Sequence, residues 1–257
     1  MRAIWSGSIG FGLVNIPVKL YSAVQGSELD LDMLDKEDHA NIKFQRVNAN
    51  TGKVVSWENI VKGYKIDDHY VVVTPEDFEK ASPEKTKTIE ITEFVDGSEI
   101  DSIYYDTPYY LQPEKSGIKA YTLLRDALKK TGKVGLGSYV LRNRENLIVI
   151  KPSSDIMILN KIRFAEEIRN SSEIEVPTGK SSPAEMKMAI QLIEQLSGPF
   201  DVSKYKDTYS EKLLKLINAK DKGKKIASSP LRVVHSRGKD LMSQLKASLG
   251  TTKRKAS

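Results

Sequence analysis

Cysteine is missing from all 257 residues. Disulfide frameworks, thiolate zinc sites, iron–sulfur clusters and cysteine nucleophiles are thereby excluded, and a reducing cytoplasm is the expected compartment. Long apolar runs are missing too. Nothing approaches the roughly 20 residues that span a bilayer, so no membrane partner is expected. Ser6, Gly7, Ser8, Gly10, Gly12 and Asn15 interrupt the N-terminal segment, which argues against a signal peptide and for the first strands of a fold. Histidine is scarce, and His39, His69 and His235 stand far apart with no H-x-x-x-H pair. Gly179-Lys180-Ser181 looks like the end of a phosphate loop, but Ile174 stands where its earlier glycine is required. Gly132, Gly135 and Gly137 lack dinucleotide-binding spacing. The acids from Asp30 onward lack a calcium loop's ligand and glycine, since Leu34 and Asp35 occupy those places. With no nucleophile, base or metal cluster, the expectation is a non-enzyme with no cofactor and no small-molecule substrate.

What the chain has in quantity is charge, unevenly placed. Residues 219–257 hold eleven lysines and arginines against Asp221 and Asp240, although the whole chain carries only +6. The body before them is therefore slightly acidic and the tail strongly basic. Within the body, residues 28–38 hold six acids against Lys36, residues 40–65 hold five cations against Glu58, and residues 115–169 hold twelve cations against five acids. Such segregation suits a protein that offers one basic surface to a polyanion. Scattering over solvated faces is the competing account of the same charges.

The first two-thirds reads as β-rich. Short Val-, Ile- and Tyr-rich runs at 16–23, 70–74, 88–94, 103–111, 134–141, 147–151 and 156–162, several of them separated by Pro, Gly, Asn or Asp, predict a barrel or sandwich. Thr74-Pro75-Glu76-Asp77 opens a short helix, and residues 117–131 carry a helical apolar stripe that ends at Gly132. Two capping boxes, Ser182-Pro183-Ala184-Glu185 and Thr208-Tyr209-Ser210-Glu211, predict a helical arm. A lysine-rich linker over 219–230 and a short amphipathic segment at Leu241, Met242, Leu245 and Leu249 complete the chain.

Several of these stretches together are specific. Trp5-Ser6-Gly7-Ser8-Ile9-Gly10-Phe11-Gly12-Leu13-Val14-Asn15-Ile16-Pro17-Val18-Lys19-Leu20-Tyr21 closely resembles the start of prokaryotic Ku proteins, the bacterial homodimeric type. Ile60–Tyr64, Tyr70–Thr74, Phe94-Val95-Asp96, Lys119–Arg125, Thr131–Gly135, Arg144–Leu147, Ala165–Arg169 and the helix with Gln191-Leu192-Ile193 continue that resemblance in order, over about residues 2–218.

The resemblance implies a mainly β fold with α: a Ku-core β-barrel (1–180) with an extended bridge (about 28–70), a helical arm (181–218) and a basic, flexible tail (219–257) with a short terminal helix. It implies a homodimeric ring that threads onto double-stranded DNA ends without reading sequence, and recruits a D-type bacterial DNA ligase for non-homologous end joining in double-strand-break repair. Lys43, Arg46, Lys53, Lys62, Lys65, Arg142 and Arg144 would then line the ring and contact phosphates. The segment at Leu241, Met242, Leu245 and Leu249 looks like the family's ligase-interaction element, the competing account being a marginal helix in a disordered tail. Lys220, Lys222, Lys224 and Lys225 are candidates, on charge alone, for DNA flanking the ring. One departure stands out: many relatives carry Cys-x-x-Cys in the bridge, where this chain has Val47-Asn48-Ala49-Asn50-Thr51-Gly52. Bridge rigidity must come from elsewhere, and Trp57 is the candidate. Two other functions stay open, an architectural DNA binder without end preference and an abasic-site lyase acting through a tail lysine.

Overall fold

Runs of β-branched and aromatic residues that alternate with polar ones favour half-buried strands, and nine strands form among the described residues. The computed structural model describes residues 1–81, 87–141, 144–223 and 241–255. In chain order the strands and first helices are β1 (Trp5–Phe11), β2 (Val14–Ser22), β3 (Lys62–Ile66), β4 (His69–Val73), α1 (Pro75–Ala81), β5 (Thr88–Asp96), β6 (Tyr105–Pro113), α2 (Ile118–Thr131), β7 (Lys133–Leu141), β8 (Arg144–Ser153) and β9 (Ile156–Ile162). Seven strands close a barrel in the order β1-β2-β6-β9-β8-β7-β5, while β3 and β4 form a separate two-stranded sheet. All barrel pairs are antiparallel except β1 with β5, which closes the barrel in parallel through Ser8, Ile9 and Gly10. Closure leaves no free sheet edge on the barrel.

Ile9, Ile16, Val18, Leu20, Ile89, Leu111, Ile148, Ile150, Met157 and Leu159 fill the core and are wholly shielded from solvent. Helix α2 lays Tyr121, Leu124 and Leu128 against this cluster. Trp5 meets Tyr139 edge-on at 6.0 Å between ring centroids. A second, smaller cluster of Val134, Val149 and Ile162 is covered by Ile100 and Tyr104. Two glycines are set by geometry. Gly12 takes φ +55° in the tight β1–β2 turn, and a Cβ on Gly137 would stand 1.9 Å from the Glu90 carbonyl oxygen beside the β5 bulge.

Tyr121 ties α2 into the barrel wall. Its hydroxyl donates to the Leu111 carbonyl and accepts from the Met157 N–H, both at 2.6 Å, at a point where β6 and β9 pair. Burial raises its pKa above the ordinary 10.0, and burial does the same to Tyr139. For Tyr121→Phe a loss of about 3 kcal/mol is expected in chemical unfolding, because two buried backbone groups lose their partner. Both tyrosines ionise more readily once unfolded. The unfolded chain therefore releases protons first, and stability falls as pH rises through about 10. That alkaline slope should shrink in Tyr121→Phe.

The chain separates into two compact units, residues 1–26 with 31–170 and residues 27–30 with 171–257. The second contains α3 (Pro183–Leu196), α4 (Thr208–Asp221) and α5 (Leu241–Lys255). Ser182 and Glu185 form the expected capping box of α3. At α4 the expectation is corrected. Asp207, not Thr208, is the N-cap, because its carboxylate reaches the N–H groups of Tyr209 and Ser210 at 3.0 and 3.1 Å. Helix α4 also runs on to Asp221, into the segment read as a linker, and α5 runs on through the basic Lys253-Arg254-Lys255.

Candidate nucleic-acid interface

Between β2 and α1 the first unit carries three successive tight reversals. At the first, Leu34 bridges Asn41, Asp35 N–H donates to the Ala40 carbonyl at 2.8 Å, and the carboxylates of Asp35 and Asp38 accept from the N–H groups of Glu37 and Ala40. These acids thus build a turn, the local backbone capture typical of short acidic side chains. At the second, Val47 bridges Val54 and Val55 N–H donates to the Arg46 carbonyl at 2.8 Å. The Asn48 side-chain oxygen there accepts from Asn50 and Thr51, and Gly52 supplies φ +66°. Arg46 lies over the Trp57 ring at 4.6 Å, a cation–π contact. The Asn48 turn and the Arg46–Trp57 stack are local contacts of this segment, and they leave the Arg46 charge in place. The third reversal is the β3–β4 hairpin, turned at Asp67 with φ +48°.

None of residues 28–70 is buried, and only Leu29 and Val55 are half-buried. Lys43, Arg46, Lys53, Lys62, Lys65 and Arg144 are all exposed. Among the described residues none of the six is ion-paired to a carboxylate; the ion pairs lie elsewhere, at Lys19, Arg125, Lys161, Arg163 and Lys204. The six do not form one cluster. Lys62 and Arg144 line the same cleft of about 720 Å³, together with Glu58, Phe78 and Glu79, and Lys62 Nζ stands 4.8 Å from the Phe78 ring. Lys65 is three residues along β3 from Lys62, so strand alternation puts it on the opposite face, across from Tyr70. Lys220 and Lys222 are exposed at the C-terminal end of α4, in the other unit. Arg142, Lys224 and Lys225 lie outside the described residues.

Sequence reasoning missed β3, whose Lys-Gly-Tyr-Lys-Ile lacks the usual apolar alternation. It also missed the two acids of the Lys62–Arg144 cleft. Glu58 and Glu79 reach it from different elements, a placement no local pattern encodes. A further basic group comprises Lys151 on β8, Lys161 on β9 and Arg163 just past the end of β9. Lys161 and Arg163 pair with Asp106, Arg163 also donates to the carbonyls of Ile103 and Tyr105, and Lys151 stands 5.0 Å from the Tyr105 ring. Of the segment at Leu241, Met242, Leu245 and Leu249, the side chains of Met242, Leu245 and Leu249 are half-buried; that of Leu241 is outside the described set. Among the described residues no helix is long and apolar enough to cross a membrane.

Comparison with known proteins adds to this geometry. The family model described as the Ku70/Ku80 beta-barrel domain matches residues 10–188. The non-homologous end joining protein Ku of Anaeromyxobacter sp. (strain K) is 42% identical over 257 residues, which is 99% of this chain and 87% of that protein. The protein of the same name from Bacillus subtilis (strain 168) is 39% identical, with 99% and 83% covered. Its namesake from Archaeoglobus fulgidus is 39% identical, with 98% and 100% covered.

Proposed function

The chain belongs to the Ku β-barrel family, and from that footing we propose that it binds the ends of double-stranded DNA without reading sequence, as a step in non-homologous end joining. The finer reading is a homodimer whose two bridges, residues 28–70, close a ring around the duplex. The helical arm, residues 181–218, embraces the partner subunit, and the tail, residues 219–257, adds affinity for DNA and recruits a D-type ligase.

The observation that carries this reading is the character of the bridge. It holds thirteen exposed large apolar side chains, Phe44, Trp57, Tyr64 and Tyr70 among them, and no buried one. Such a stretch recovers almost none of the conformational entropy that ordering costs, so it calls for a surface to cover it. A second copy is the simplest source, because a two-fold axis uses the same patch twice. Exposed Lys43, Arg46, Lys53, Lys62, Lys65 and Arg144 supply phosphate contacts, which position a duplex but carry no base information. Arg142 and the lysines Lys220, Lys222, Lys224 and Lys225 extend that set. A lyase would need a desolvated lysine, whereas Lys220 and Lys222 are exposed.

Competition between linear duplex and covalently closed circles of equal sequence tests the proposal. Linear DNA is expected to compete, and circles to fail until they are cut. Equal competition by intact circles would favour an architectural DNA binder instead.

A further inference from the structure

Helix α3 is apolar around more than half of its circumference, and only part of that surface is covered. At 100° per residue, Met188, Ala189 and Leu192 fall on one stripe, while Met186, Ile190 and Ile193 fall on a second beside it. The first stripe is half-buried and the second exposed, with Ile193 65% accessible. The element that packs against α3 within the second unit is α5. On α5 the half-buried residues are Met242, Leu245 and Leu249, again one stripe at helical spacing, whereas Ser243, Gln244, Lys246, Ala247 and Ser248 are exposed.

We propose that the Met188–Ala189–Leu192 face of α3 is a seat for the terminal helix, and that α5 offers its Met242–Leu245–Leu249 stripe to a partner only after leaving that seat. This inference rests on the ligase reading of the tail given above. One narrow stripe cannot be covered by two surfaces at once, so seat and ligase compete for it. The chemistry of the seat also defines the partner's surface. It must offer a groove lined by methyl-rich side chains, as α3 does. Its rim should be acidic, because α5 contains no acid and carries Lys246, Lys253, Arg254 and Lys255. Closure of the seat lowers apparent ligase affinity by the fraction of chains that are open. It also keeps a sticky stripe off other surfaces while the seat is closed.

The test exploits the cysteine-free chain. Nitroxide labels at two exposed positions, Lys187→Cys and Lys246→Cys, report the α3–α5 separation by pulsed EPR, with labelled chains diluted into unlabelled ones so that only distances within one chain are read. A short, narrow distribution is expected in the wild-type background. Met188→Glu with Leu192→Glu should broaden it and tighten capture of a purified D-type ligase by about tenfold or more, as removal of a closed state populated at about 90% requires. Leu192→Ala, a milder change on the same half-buried stripe, should give a smaller gain in the same direction, and unchanged far-UV circular dichroism and thermal transition certify both variants as folded. A broad distribution in the wild-type background overturns the seat, whatever the ligase does. A narrow distribution that the double variant broadens, with ligase capture unchanged, overturns the competition. If the ligase binds neither the wild type nor the double variant, and Leu245→Glu with Leu249→Glu changes nothing, the ligase reading fails and the gating falls with it, while the EPR distances still decide whether the seat exists.

Discussion

Reversing three bridge and barrel charges at once, Lys53→Glu with Lys62→Glu and Arg144→Glu, is expected to lower affinity for a duplex end at least about a hundredfold at 0.1 M salt. Each phosphate contact releases counterions and contributes about 0.9 to the slope of log affinity against log salt. Three cations per subunit, doubled in a homodimer, therefore predict a slope shallower by about 5. The three side chains are exposed and form no ion pair among the described residues, so thermal stability should hardly change. The loss should be the same for duplexes of different sequence. Glu58 and Glu79 already line the cleft with Lys62 and Arg144, so neutralising both acids should strengthen binding several-fold. Fluorescence anisotropy over a salt series checks all of this. An unchanged slope would remove these cations from the interface.

Placing charge on the bridge, Phe44→Asp with Tyr64→Asp, is expected to convert the proposed dimer to monomer at micromolar concentration and to abolish end binding with it. Phe44 and Tyr64 are 77% and 69% exposed. Burial of one such side chain is worth about 2 kcal/mol, and a two-fold interface counts both copies, so about 8 kcal/mol of association is at stake. Neither residue belongs to the barrel core, so the barrel itself should stay folded. Sedimentation equilibrium reads the mass, and far-UV circular dichroism reads the fold. A variant that remains dimeric would move the subunit interface away from the bridge, towards the open apolar stripe of α3.

The barrel was legible in the sequence because its strands obey a local rule. The Ile156–Ile162 run, with its alternating core residues Met157 and Leu159, is β9 residue for residue. Helix α2 was equally legible, since its stripe and the left-handed Gly132 that ends it are both local signals. The α4 cap was misplaced by one residue because Asp207 and Thr208 are both good N-caps, and the carboxylate's reach to two N–H groups decided between them. The bridge was hardest to read. Its strand β3 lacks a core face, so period-two alternation had nothing to encode, whereas β4 was read from its Tyr-Val-Val-Val run. That Lys62 and Arg144 share a cleft, across eighty residues of chain, and that Lys65 is turned to the other face, follow from topology and register. The Arg46–Trp57 stack falls between these cases: the sequence marked Trp57 as the substitute for missing cysteines, but not its partner.

Topology is the claim on which the rest depends, and a trapping assay tests it most directly. The protein is loaded on a linear duplex, the duplex is then closed into a circle by an added ligase, and the complex is washed in 1 M salt, where phosphate contacts alone release within seconds. The ring account predicts that protein stays on the closed circle and comes off when a restriction enzyme cuts it. Release from the circle as fast as from the linear duplex would contradict it.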